Sequence, residues 1–136
     1  MTVDYARALV ARYFEEVWNR GRLDALDEIL TADYVNHSPS LPNPRPGPTG
    51  LKPIVAAMRA GIADLHYEIL HMVATPDKVA VYVRLTGTHE GELFGMAPNG
   101  KPVDVRQMQF EWLRGGRISE HWRITDETSL MRQLSE

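Results

Sequence analysis

Four runs of alternating apolar and polar residues between His66 and Thr125 constrain this chain more than any other feature. Val79, Val81, Val83 and Leu85 alternate with Ala80, Tyr82, Arg84 and Thr86. A period of two is that of a half-buried strand, whose successive side chains point to opposite faces. The same pattern predicts strands over 66–73, 103–113 and 118–125. Turn-forming residues separate them: Thr75-Pro76-Asp77-Lys78, Pro98-Asn99-Gly100-Lys101 and Arg114-Gly115-Gly116-Arg117. Consecutive strands joined by short turns pair antiparallel, so the second half of the chain is a meander.

The first half has a different period. Ala6, Leu9, Val10, Tyr13, Phe14, Val17 and Trp18 recur at three- and four-residue steps, which predicts an amphipathic helix over 4–18. Asn19-Arg20-Gly21 supplies its stop. Leu23, Leu26, Ile29 and Leu30 mark a second short helix over 22–30, and Tyr34-Val35-Asn36-His37 a short strand. Residues 39–48 then carry five prolines, Pro39, Pro42, Pro44, Pro46 and Pro48. Proline fixes φ and lacks the amide donor, so this is a stiff extended loop, either a binding loop or a surface connection. Thr49 is placed to cap a third helix with Leu51, Val55, Met58 and Ile62 on one face and Pro53 in its first turn. Helices followed by an antiparallel meander give an α+β layout, with the helices on one face of a curved sheet.

A chain of 136 residues fits one domain, 1–136. Its net charge of −3 argues against a nucleic-acid partner, and no apolar run reaches the roughly 20 residues that span a bilayer. Met1-Thr2-Val3-Asp4-Tyr5 lacks the basic-then-apolar pattern of a signal peptide, and the chain has no cysteine. Both fit a cytoplasmic protein without disulfides or thiol chemistry. His66 and His71 sit roughly 17 Å apart on a strand, and with His89 they have no metal-like spacing. No metal is expected.

Several segments resemble one family. They are Asp33-Tyr34-Val35-Asn36-His37-Ser38-Pro39, Gly47-Pro48-Thr49-Gly50-Leu51, Asp64-Leu65-His66-Tyr67-Glu68-Ile69, Gly87-Thr88-His89-Glu90-Gly91, Pro98-Asn99-Gly100-Lys101 and Gly116-Arg117-Ile118-Ser119-Glu120-His121-Trp122, completed by the tail from Asp126 to Leu134. Together they resemble the SnoaL-like polyketide cyclases, also called ester cyclases, of the nuclear-transport-factor-2-like superfamily. The resemblance covers nearly the whole chain. It implies a cone in which a curved antiparallel sheet wraps around N-terminal helices, with an apolar pocket between them. It also implies cofactor-independent closure of a ring by intramolecular aldol condensation, a hydrophobic small-molecule substrate, and a homodimer or higher homo-oligomer. An aspartate is the acid/base in the cyclases it resembles. By position after the His-Trp pair that role falls on Asp126. The segment ending in His37 is similar in placement to the one that carries the base of the related ketosteroid isomerases. The same superfamily also holds non-catalytic binding domains, and epoxide hydrolases for which Asp104, Arg106 and Asp126 would be the constellation.

The residues themselves leave choices. On an ideal strand Trp122, Ile124 and Asp126 share one face, and His121, Arg123 and Thr125 the other. With Trp122 as pocket wall, Asp126 faces the pocket, where apolar neighbours raise its pKa, and His121 packs on the outer face. Asp126 also fits as cap of the last helix, through Thr128 or Ser129. His37 suits proton transfer near neutrality or a structural hydrogen bond. Gln107 and Gln109 alternate with Met108 and Phe110. Facing inward, the glutamines would steady an enolate; facing outward, they would lie in a polar or subunit interface. His121 is a further donor candidate, and Tyr13, Phe14 and Met58 belong to the core or to the pocket wall.

Overall fold

The computed structural model describes residues 1–40 and 44–136. The centre of the proline-rich loop, including Pro42, therefore lies outside the described residues. Among the described residues eleven elements follow the expected order, helices with one short strand, then the meander and a closing helix. Helix α1 (Val3–Arg12) is capped by Thr2, whose hydroxyl accepts from the Tyr5 amide at 3.0 Å. It runs on into a wider, π-helical segment, Tyr13–Asn19. That segment buries Tyr13, Phe14, Val17 and Trp18 together. A 3₁₀ turn (Leu23–Ala25) and α2 (Leu26–Ile29) lead directly into β1 (Leu30–Asn36), so Leu30 opens a strand rather than closing a helix.

Helix α3 (Pro48–Gly61) begins after Gly47, which has φ +76° and donates to the Tyr34 carbonyl at 2.7 Å. A Cβ at Gly47 would sit 2.4 Å from the Ala32 carbonyl oxygen, so the close return of the proline loop to β1 needs glycine here. Thr49 is inside this helix rather than its cap, and Pro53 sits in the second turn.

Strands β2 (Ile62–Ala74), β3 (Lys78–His89), β4 (Pro102–Arg114) and β5 (Arg117–Thr125) form the expected antiparallel meander. The sheet order is β1-β5-β4-β3-β2. β1 joins the far edge parallel to β5, pairing Asn36 with His121. Bulges in β2 on either side of His66–Ile69, one of them at Asp64 with φ 56°, bend the sheet around the helices. The core forms where Val10, Phe14 and Val17 meet Val81, Val83 and Leu85 of β3 and Val105 of β4. Each such fully buried side chain contributes about 1.5–3 kcal/mol.

The last helix, α4 (Glu127–Ser135), buries Leu130 and Leu134. It is tied to β4 by Gln133, which accepts from the Asp104 amide at 2.8 Å and donates to the Asp104 carbonyl at 2.9 Å. This fixes the end of α4 against the start of β4, while the Asp126 amide donates to the Arg106 carbonyl at 3.0 Å and places the start of α4 beside β4. Among the described residues no helix is long and apolar enough to cross a membrane.

Candidate functional site

The inner face of the sheet carries an unusual polar ladder. On β4 the inward residues are Val103, Val105, Gln107, Gln109, Glu111 and Leu113. The pairing with β5 sets Gln107 opposite Thr125, Gln109 opposite Arg123 and Glu111 opposite His121. On the other side of β4 the same three residues face Val83, Val81 and Val79. Of the two sets left open by the alternation, the glutamines face in. Met108, Phe110 and Trp112 face out.

The deepest rung is an ionisable pair. Glu111 is 1% exposed and His121 3%. His121 Nδ1 lies 2.6 Å from Glu111 Oε1. Burial pushes the Glu111 carboxyl up, while His121 and Arg123 oppose the shift. The Tyr13 phenol is pushed up by burial and then by Glu111. The Tyr34 phenol is likewise raised by burial.

The outer rungs open into a cavity of about 260 Å³. Its apolar wall includes Trp18, Met58, Phe94, Leu130 and Met131, and the start of the proline loop, Pro39 and Ser40, covers one side. Its polar groups are Tyr67, Gln107, Arg123, Thr125 and Glu127. The Tyr67 hydroxyl donates to Gln107 Oε1 at 3.3 Å, and Gln109 Nε2 donates to the same oxygen at 2.7 Å. Burial lifts the Tyr67 phenol to about 12, so it stays protonated and remains a donor. With its oxygen accepting twice, Gln107 keeps its amide nitrogen for a ligand. Arg123 Nε donates to Thr125 Oγ1 at 3.2 Å, and that hydroxyl keeps its own proton to give. The cavity lies just below the usual ligand-site range. An adjoining groove shares Pro39, Arg123, Thr125 and Glu127 with it and extends the space for a longer ligand.

Of the residues singled out from the sequence, Gln107 and Met58 line the cavity. Gln109 stands one layer behind, and Tyr13 and Phe14 belong to the buried core. Several expectations are corrected. Trp122 is not a pocket wall: it lies on the outer face, its ring centroid 5.0 Å from that of Trp112 and 6.1 Å from that of Phe110. His121 is not on that face but deep inside. The cause is a bulge, because Ile118 and Ser119 are both buried and every later side chain of β5 is turned to the opposite face.

His37 also belongs outside. It stacks on Trp122 at 4.4 Å, and its Nε2 lies 3.0 Å from Glu120 Oε1. Asp126 caps α4, accepting from the Ser129 amide at 3.2 Å and the Ser129 hydroxyl at 2.7 Å. These bonds hold its pKa below the usual value, the reverse of the expected rise. Asp126 lines the adjoining groove, not the cavity. The Asp104–Arg106–Asp126 constellation does not assemble: Asp104 pairs with Arg84 at 2.6 Å, and Arg106 lies over the Tyr82 ring.

Four groups escaped the sequence reading: Glu111, Arg123, Glu127 and Tyr67. The parity of Val103 and Val105 against Asp104 and Arg106 was the signal for Glu111. Glu127 carries no local signal, since it looks like any acidic residue in a first helical turn.

Comparison with known proteins gives a consistent result. The SnoaL-like polyketide cyclase family matches over residues 8–134. The nogalonic acid methyl ester cyclase of Streptomyces nogalater is 28% identical over 120 residues, which is 88% of this chain and 90% of that protein. IdmH, a putative polyketide cyclase from Streptomyces antibioticus, is 29% identical with a TM-score of 0.80, covering 96% of this chain and 98% of the other. A putative SnoaL-like polyketide cyclase from Jannaschia sp. CCS1 is 26% identical with a TM-score of 0.89, covering 98% and 94%.

Proposed function

The chain belongs to the SnoaL-like polyketide cyclase family, and from that premise we propose that it closes a ring of an apolar polyketide-like carbonyl substrate by intramolecular aldol addition, using only its own side chains. The observation that carries this reading is the pairing of inward donors with one carboxylate across an apolar cavity. Glu127 is the only carboxylate among the described residues that lines it.

Glu127 takes a proton from the carbon flanked by carbonyl groups. The Gln107 amide and the Thr125 hydroxyl, opposite each other on neighbouring strands, donate to the enolate oxygen as it gains charge. The enolate carbon then attacks a second carbonyl of the same molecule, forming the new carbon–carbon bond. The resulting alkoxide recovers the proton from Glu127, so the enzyme ends as it began. The apolar wall holds the chain folded and converts the encounter into a near-attack geometry. Asp126 is the weaker base, because its oxygens are occupied by Ser129 and its pKa is depressed. It acts instead by fixing the helix that presents Glu127.

The test is turnover of nogalonic acid methyl ester and of the free acid by three proteins. Glu127→Gln should lose about a hundredfold in rate with an unchanged melting temperature. Asp126→Asn should melt lower and keep most of its activity. Loss of activity in Asp126→Asn at unchanged melting would return the proton-transfer role to Asp126. No turnover of either compound by the wild type would count against ring closure on this class of substrate.

Assembly as a homodimer in the cytoplasm completes the reading. The outer sheet face leaves Ile124 76% exposed and Met108 50% exposed, next to the Phe110, Trp112 and Trp122 cluster. A continuous apolar face of this kind suits burial against a copy of itself. Light scattering should give twice the 15.4 kDa chain mass, falling to one chain mass in Ile124→Arg. A wild type that stays at one chain mass at high concentration would refute the homodimer.

A further inference from the structure

The ring-closing steps above make no use of the positive charge in the cavity. Arg123 projects from the inner face of β5 with its backbone amide pinned to Ser38 Oγ at 2.9 Å. Its Nε is spent on Thr125, and its two terminal nitrogens have no acceptor among the described residues. Several exposed arginines are paired. Arg84 pairs with Asp104, Arg114 with Asp33 and Arg20 with Glu15. Among the described residues Arg123 is the one guanidinium that lines the cavity, half-buried, and there leaving a charge without a counter-ion is costly.

The nearby acids do not fill the gap. Glu127 and Asp126 stand at the rim, but neither forms an ion pair with Arg123 within 4.0 Å. Glu111 lies one rung deeper and is tied to His121. The arginine's charge nevertheless reaches inward. It opposes the burial-driven rise in pKa of Tyr13, Tyr34, Tyr67 and Glu111. A negative group placed in the cavity would be stabilised by the same field.

We propose that Arg123 anchors a free carboxylate on the substrate, so that this chain prefers polyketide-like acids to their methyl esters. The planar guanidinium presents two parallel N–H donors, which match the two oxygens of a carboxylate. A methyl ester offers no negative charge and only one strong acceptor. The Streptomyces nogalater relative named above is a methyl ester cyclase, so the inference separates this chain from it in substrate class. It rests on the ring-closure reading for the nature of the substrate, but its test needs no turnover.

The test is calorimetric titration with anthraquinone-2-carboxylic acid and its methyl ester, on wild type, Arg123→Gln and Arg123→Lys, each checked for melting temperature. The wild type should bind the acid at least about tenfold more tightly than the ester. Arg123→Gln should lose that preference while keeping its affinity for the ester, which serves as the internal control for folding. Arg123→Lys should keep part of it, since it restores charge without the planar fork. Equal affinity for acid and ester in the wild type, or a preference that survives Arg123→Gln, would overturn the anchor and leave ring closure standing. Failure of the wild type to bind either compound would overturn both.

Discussion

Replacing His121 by alanine should cost about 3–5 kcal/mol of folding stability, the usual penalty for leaving one member of a buried ionisable pair without its partner. The pair is almost fully enclosed, with Val79 opposite Glu111 on the neighbouring strand. Without the imidazole, the carboxylate must either stay charged in an apolar setting or take up a proton. Replacing both residues together, as in Glu111→Met with His121→Leu, should recover most of the loss, because the desolvation cost disappears with the charges. The pH dependence gives a second signature. The folded-state pKa of Glu111 lies above its reference value of 4.5 because burial disfavours the anion. The folded protein therefore holds the proton more tightly than the unfolded chain does. The stability from this group is fully present below pH 4.5 and is lost as pH rises through the folded-state value. Urea unfolding across this range should show a downward slope that flattens in Glu111→Gln. A single His121→Ala cost below about 1 kcal/mol would show that the pair is not buried as described.

The second large effect is expected at Phe14. Its ring packs edge-on against Tyr13 and lies 5.2 Å from Tyr67, whose other face meets Trp18. Phe14→Ala should cost about 3–5 kcal/mol, through lost burial and the void that rigid neighbours cannot fill. The damage should also reach the cavity. Tyr67 rests on Phe14 and holds Gln107 through its hydroxyl, so loss of the ring lets Tyr67 tilt and frees the amide that faces the ligand. Ligand affinity should fall even at temperatures where the variant is fully folded. Phe14→Leu, which refills most of the volume, should be milder in both respects. If Phe14→Ala lowers stability as expected but leaves affinity untouched, the mechanical link from Phe14 to Gln107 is broken.

Much of this architecture could be read from local pattern. The antiparallel meander followed from period-two runs and short turns, and the first helix from apolar spacing. What local pattern could not supply was pairing at long range. β1 joins the sheet parallel to β5 across some eighty residues, with no turn to announce it. The site was partly legible for a related reason. Gln107 faces inward because Val103 and Val105 share its parity, whereas charged Asp104 and Arg106 share that of Met108. Following the same parity two residues on reaches Glu111, but a lone glutamate is expected in water, and its histidine partner lies on another strand. On β5 the parity grouping of His121, Arg123 and Thr125 against Trp122 and Ile124 held, but the inward face was misassigned. The extra residue at Ser119 reverses the faces, which exchanged the roles of Trp122 and His121. Asp126 is the instructive case. Its position drew attention for chemistry, while the alternative reading as a helix cap describes its hydrogen bonds.

The separation of the tryptophans by face has a practical consequence. Of the three in the chain, Trp18 lines the cavity, while Trp112 and Trp122 lie in contact on the far side of the sheet. The protein thus carries two independent optical labels. Emission from Trp18 should respond to an occupant of the cavity. The coupled pair outside, with the Lys78 ammonium 5.4 Å from the Trp112 ring, should respond to whatever covers that face. Variants that keep one label and replace the other with phenylalanine would let ligand uptake and self-association be followed in the same cuvette.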